Sequence, residues 1–173
     1  TTVSALADAD TTILHCDSLL QTTSYKLVVS SNLGCGQDTT NVVTVYVRDP
    51  FTAGSIVGND TICYNTQPAS FAIDSLCFGG ALPYTYQWQR YDGDSLWVNV
   101  EGAEDDSLQV GELAESTSYR LQFSSSDGCG TGYSDSIYVY VYDEMQPATI
   151  YSDTDSIICF STAPSPFGII TPA

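Results

Sequence analysis

Along most of the chain, apolar and polar residues alternate one for one. Tyr84, Tyr86 and Trp88 fall on one side of such a run, Tyr119, Leu121 and Phe123 on one side of another, and Ile137, Val139 and Val141 on one side of a third. A period of two is that of a half-buried strand. Dividing the sequence at its turn residues predicts strands over 54–57, 70–78, 84–91, 96–100, 107–110, 118–124 and 136–142. Asp92-Gly93-Asp94 predicts a hairpin turn, and Asp127-Gly128 opens another. The three apolar faces are expected to meet as the core between two sheets.

The pattern repeats. The stretch from Ser18 to Leu27, followed by Gly34-Cys35-Gly36 and Val43 to Val47, superposes without a gap on Glu112 to Leu121, Gly128-Cys129-Gly130 and Ile137 to Val141. Tyr25 to Tyr119 and Cys35 to Cys129 are both offset by 94 residues. Thr61-Ile62-Cys63-Tyr64 through Phe71 recurs at Ile157-Ile158-Cys159-Phe160 through Phe167, offset by 96 from Cys63 to Cys159. Self-similarity at a fixed period is the mark of a modular array. The expected division is the C-terminal half of one module at 1–48, a complete module at 49–142 and the opening of a third at 143–173.

Seven short strands in one period is the count of an immunoglobulin-like β-sandwich. Leu113 followed by Tyr119, repeated as Leu19 and Tyr25, matches the spacing of a tyrosine corner, in which the phenol bonds back to the backbone. Composition agrees with an all-β reading. Thr, Ser, Val, Tyr and Gly dominate, while Met145 and Lys26 are the single residues of their kinds.

The net charge of −17, with only Lys26, Arg48, Arg90 and Arg120 as cations, argues against nucleic acid as a partner. It argues equally against anionic lipid surfaces. No run approaches the roughly 18 apolar residues that span a bilayer. The opening Thr1-Thr2-Val3-Ser4-Ala5 lacks a signal peptide's basic start, so a secreted protein would contribute this chain as an internal or processed segment.

Thr61-Ile62-Cys63-Tyr64, Gly79-Gly80, Tyr86-Gln87-Trp88-Gln89, Trp97, Thr117-Ser118-Tyr119-Arg120 and Gly128-Cys129-Gly130 together resemble the Ig-like/PKD-like repeats of large Bacteroidota surface proteins. The resemblance implies tandem immunoglobulin-like sandwich modules of the fibronectin III or PKD-like kind. It also implies type IX secretion, an extracellular place at the cell surface, and adhesin or gliding-motility proteins as the setting.

The chemistry available is sparse. Six cysteines in such a chain suggest disulfides in an oxidising compartment. Each module carries one cysteine of the Cys63 kind and one of the Cys129 kind. The simplest pairing is therefore Cys63–Cys129, with Cys35 and Cys159 bonded outside the segment. A rival pairing, Cys77–Cys129, would imitate the inter-sheet bridge of antibody domains. Cys16 and Cys77 stand where other copies have Val110 and Ala173. With His15 as the only histidine, neither a zinc site nor a catalytic triad can be assembled, and no catalytic residue or cofactor is expected. Calcium is the one candidate ion. Asp92, Asp94, Glu104, Asp105, Asp106, Asp153 and Asp155 offer oxygen ligands, but no loop spacing organises them.

Two surface features remain. Tyr138, Tyr140 and Tyr142 form a stripe opposite the apolar face of the last strand, suited either to stacking on sugar rings or to cross-strand packing. Nine of the chain's Asp residues are followed by Ser or Thr and then Thr or an apolar residue. Turn chemistry accounts for such triplets. They also match the O-glycosylation signal that the resemblance implies, with Thr11, Ser18, Thr39, Thr61, Ser75, Ser95, Ser107, Ser136 and Ser156 as acceptors. Asn59-Asp60-Thr61 is a single N-glycosylation sequon. The expected function is a structural and adhesive stalk segment, not an enzyme, with neighbouring repeats and surface glycans or host or prey surfaces as partners. The alternatives are a glycan- or protein-binding module and an accessory domain of a larger secreted enzyme.

Overall fold

A computed structural model describes residues 13–152 and 157–170. Among these the regular structure is β apart from one 3-10 turn at Ser126–Gly128. In chain order the strands are β1 (Thr23–Tyr25), β2 (Val28–Ser30), β3 (Gln37–Thr39), β4 (Val43–Val45), β5 (Ser55–Val57), β6 (Asp60–Ile62), β7 (Phe71–Ser75) and β8 (Tyr84–Tyr91). They continue as β9 (Trp97–Asn99), β10 (Ser107–Leu108), β11 (Thr117–Ser125), β12 (Thr131–Tyr133), β13 (Ile137–Val141), β14 (Thr149–Ser152) and β15 (Phe167–Ile170).

Strands β5 to β13 form two sheets. One has the order β10-β7-β5, the other β6-β13-β11-β8-β9 with β12 paired to β11. All pairs are antiparallel except β6 with β13. The seven strands expected from alternation are all present, and β8 occupies the expected residues 84–91. Two strands were not expected. β6 follows a crossing between sheets at Gly58, and the carboxylate of Asp60 holds it by accepting the N–H groups of Thr61 (2.8 Å) and Ala69 (3.0 Å). β12 returns from the turn after β11.

The sheets face each other across one core. Alternation along β11 buries Tyr119, Leu121 and Phe123, and along β13 it buries Ile137, Val139 and Val141. Phe71 and Leu108 meet them from the opposite sheet. Phe71 lies 6.2 Å from the Trp88 ring and 5.0 Å from Tyr119, centroid to centroid. The one polar atom of Trp88 is satisfied, since Nε1 donates to the carbonyl of Asp105 at 3.0 Å. Each such side chain contributes about 2–3 kcal/mol of transfer free energy.

The flanking segments repeat the pairings of this unit. Thr23 pairs with Val45 and Tyr25 with Val43 in β1 and β4, as Thr117 pairs with Val139 and Tyr119 with Ile137 in β11 and β13. Val28 pairs with Thr39, as Gln122 does with Tyr133. On the C-terminal side Ile150 pairs with Ile169, as Ile56 does with Ile73. Side-chain bonds recur too. Thr40 Oγ1 accepts from Leu27 N at 2.9 Å, and Ser134 Oγ from Leu121 N at 2.9 Å. Thr22 Oγ1 accepts from Val47 N at 3.1 Å, and Ser116 Oγ from Val141 N at 2.9 Å.

Candidate functional site

Strand parity that buries one side of the larger sheet exposes the other. Outward from β11 stand Ser118, Arg120 and Gln122; from β8, Gln87, Gln89 and Tyr91; from β9, Trp97 and Asn99. Register places Gln89 between Arg120 and Asn99. Its amide is used on both sides: Oε1 accepts from Arg120 Nε at 2.8 Å, and Nε2 donates to Asn99 Oδ1 at 2.8 Å. The Arg120 guanidinium carbon lies 4.0 Å from the centroid of Tyr133 and 4.5 Å from that of Trp97. Stacking on two rings fixes the plane of the guanidinium. Its terminal nitrogens have no acceptor among the described residues, so they are available to a ligand oxygen.

The tyrosine stripe lies on the same outer face. Tyr138, Tyr140 and Tyr142 are all exposed, and the last two meet edge to face at 5.3 Å. Tyr138 sits beside Ser118 on the neighbouring strand. The sequence alone did not join Arg120, Gln89 and Trp97 into one site. Their shared outward parity on adjacent strands is the signal that could have found them.

A shallow groove opens where β9 ends and leaves the edge of β8 uncovered. Tyr84, Tyr86, Asn99, Asp105, Asp106 and Ser124 are among its lining residues. The acidic residues singled out for calcium do not converge. Among the described residues no group of three or more metal-binding side chains is assembled, and Asp153 and Asp155 lie outside them. Asp92 is engaged in its own hairpin, accepting from Asp94 N at 3.0 Å and Leu96 N at 3.1 Å.

The structure holds no Cys63–Cys129 bridge. Cys63 follows Ile62, whose carbonyl accepts from Tyr142 N at 2.9 Å, and Asn65 N bonds Leu113 O close by. That is the end of the sandwich where β11 begins, at Thr117. Cys129 lies beyond the other end of β11, next to Gly130, whose carbonyl accepts from Ser125 N. Nine residues of strand set the two ends about 27 Å apart, and a disulfide needs Cα atoms within about 7 Å. Both thiols are free and exposed. Cys77 is also free, but it is buried in the core, and burial pushes its thiol pKa up.

Of the acceptor hydroxyls, Thr11 and Ser156 lie outside the described residues. Ser18, Thr39, Thr61, Ser75, Ser95, Ser107 and Ser136 are all exposed. Ser75 Oγ is shared with Ser55 Oγ at 2.7 Å, which leaves it the least available. Among the described residues no helix is long and apolar enough to cross a membrane.

The sequence profile of a family described as a domain of unknown function (DUF8696) matches residues 52–143, and the chain belongs to that family. No curated protein matches it.

Proposed function

We propose that this member of the family is a segment of a structural and adhesive stalk, a string of immunoglobulin-like sandwich modules standing extracellularly at a cell surface. The observation that carries the reading is the return of the same registers and side-chain bonds at an offset of 94 residues before the central unit and of 94 to 96 residues after it. The family match, 52–143, covers nearly the same residues as the module expected at 49–142. The strand order β6-β13-β11-β8-β9 opposite β10-β7-β5, with Trp88 buried on β8, supports the immunoglobulin-like assignment.

Geometry favours a rod. The chain enters the central unit beside Gly80, whose N–H donates to Asp49 O at 2.8 Å, and Gly80 lies against Ser125 at the far end of β11. It leaves at Tyr142, beside Ile62 at the opposite end. Modules joined in this way run end to end, and each adds at least the length of β11, about 27 Å. In this reading the chain performs no reaction, and its partners are the neighbouring modules and whatever the tip engages. Small-angle scattering on the whole native protein tests the reading. The expected particle is a rod whose length grows with copy number, and a compact particle overturns it.

The outer face supports a second reading, a module that binds surface glycans or a host or prey surface. Three exposed tyrosines and a ring-stacked arginine with free donors suit sugar faces and hydroxyls. Tyr138→Ala with Tyr140→Ala would abolish retention on a glycan array under this reading and leave it unchanged under the stalk reading. The exposed Asp-Ser/Thr junctions are proposed as O-glycan acceptors on either reading. A native mass equal to that of the bare polypeptide ends that proposal.

A further inference from the structure

We infer that successive modules are joined by a disulfide, in which the cysteine at the lower end of one module, Cys63 here, bonds the Gly-Cys-Gly cysteine at the upper end of the next, the counterpart of Cys129. The inference rests on the stalk reading and adds the bond that fixes one module against another.

Both cysteines recur, and each recurs on the same local scaffold. Thr66 donates Oγ1 to Cys63 O at 2.7 Å, and Thr162 donates to Cys159 O at 2.6 Å. Asn65 and Ser161, two residues after each cysteine, share a left-handed backbone with φ of 52° and 66°. At the other kind of turn Ser31 N bonds Gly36 O at 3.0 Å and Ser125 N bonds Gly130 O at 2.9 Å. Gly34 and Gly128, each directly before its cysteine, have φ of 75° and 69°. Each module therefore presents two exposed thiols in fixed places, one at each end, too far apart to bond each other.

The linker brings the two kinds together. Cys63 adjoins Ile62, the partner of Tyr142, so it marks the point where the chain departs. Cys129 adjoins Gly130, where an added Cβ would strike Phe51, so it marks the point of arrival. At the 94-residue offset, Asp143-Glu144-Met145 takes the place of Asp49-Pro50-Phe51. Three residues separate Tyr142 from Met145, a reach of at most about 11 Å. The linker thus keeps the exit of one module within this span of the entrance of the next, and docking of the two ends brings the flanking turns to the roughly 6 Å between Cα atoms that a disulfide needs. Cys35 and Cys159 then bond outside this chain, to the preceding and following modules.

Bond formation removes one proton and one electron from each thiol and joins the two sulfurs. The oxidant is a small or protein disulfide, which accepts the two electrons by thiol–disulfide exchange and leaves as two thiols. An oxidising extracellular medium supplies that class of oxidant. The result is a covalent ladder running parallel to the polypeptide linkers, which restricts bending at each junction.

The test extends the 173-residue chain at Ala173 with a copy of its own residues 78–142, which completes the third module because Ala173 holds the position of Cys77. After oxidation by glutathione disulfide, alkylation and digestion, the expected product links Cys63 to the appended copy of Cys129. Cys63→Ser should abolish that product and leave the appended thiol alkylatable. The same cross-link is expected in thiol-blocked native protein. A Cys63–Cys129 bond within one module, or both thiols alkylatable in the oxidised chain and in native protein, overturns the inference. Small-angle scattering on the same sample separates the two ideas. An elongated particle without the bond removes the disulfide and leaves the stalk, whereas a compact particle removes the stalk itself.

Discussion

The central unit and its flanking segments carry the same strands in the same register, and their side chains meet opposite fates. Phe71 is 0% exposed, whereas Phe167 at the matching position is 65% exposed. Leu121 is 0% exposed against 50% for Leu27, and Val139 is 0% against 43% for Val45. Pairing is therefore a local property of this sequence. Turns at Gly34 and Gly128, both at positive φ, set the same hairpin in either place. Burial is not local, because a sheet face closes only against a second sheet. The first segment has counterparts of β11, β12 and β13 and the last has counterparts of β5 and β7, while only the central unit has both layers.

The largest effect that could break this comparison comes from removing the same ring in both places. Phe71→Ala takes a fully buried ring from between Trp88 and Tyr119, and should cost about 3–5 kcal/mol. Phe167→Ala should change stability by less than about 0.5 kcal/mol, since its ring is already in water. Urea midpoints of the two variants decide the matter. Equal losses would mean that Phe167 is packed in solution and that the two regions do not differ.

A smaller effect separates the recurring hydroxyls. Ser134 is buried, and its Oγ is the acceptor for Leu121 N. Ser134→Ala leaves that N–H without a partner in the core, and a loss of about 2 kcal/mol is expected. Thr40 makes the matching bond to Leu27 N on an exposed strand, where water can replace it. Thr40→Ala should therefore cost below about 0.5 kcal/mol by the same measurement. Similar losses at both positions would show that the hydroxyl, rather than its burial, carries the energy.

Much of the fold was legible in the sequence because alternation reports strands directly. β8, β11 and β13 are the longest alternating runs, and their buried faces are the ones expected from parity. β6 was illegible because Asn59, Asp60 and Thr61 read as turn residues. Its strand depends on parallel pairing with β13, a contact between distant parts of the chain. The cysteine pairing was illegible for a related reason. Recurrence identifies Cys63 and Cys129 as two constant positions, but period and spacing carry no statement about which end of a sandwich a turn occupies. The Arg120 cluster is scattered over four strands and becomes a site only once β8, β9, β11 and β12 have set its rings and amides side by side.

The smallest effect concerns Tyr119, where the expected corner hydrogen bond and the observed packing differ. No acceptor engages its phenol among the described residues, and its ring lies 5.0 Å from Phe71. Tyr119→Phe should therefore shift stability by no more than about 0.5 kcal/mol at neutral pH, rather than by the roughly 1 kcal/mol of a lost bond. A second signature appears in alkali. Burial raises the Tyr119 pKa, with Arg90 opposing the rise. Below the unfolded value of about 10, both folded and unfolded chains hold the proton and stability is level in pH. Above it the unfolded chain loses the proton first, so stability falls as pH rises until the folded pKa is passed. Phenylalanine has no proton to lose, so the variant should hold its midpoint further into alkali than the parent. Tyr86 and Cys77, also raised chiefly by burial, keep part of the decline in both proteins. Urea midpoints at about pH 8 and about pH 11 check both claims. A loss near 1 kcal/mol at the lower pH would restore the corner bond, and parallel declines would mean that the Tyr119 phenol reaches water in the folded state.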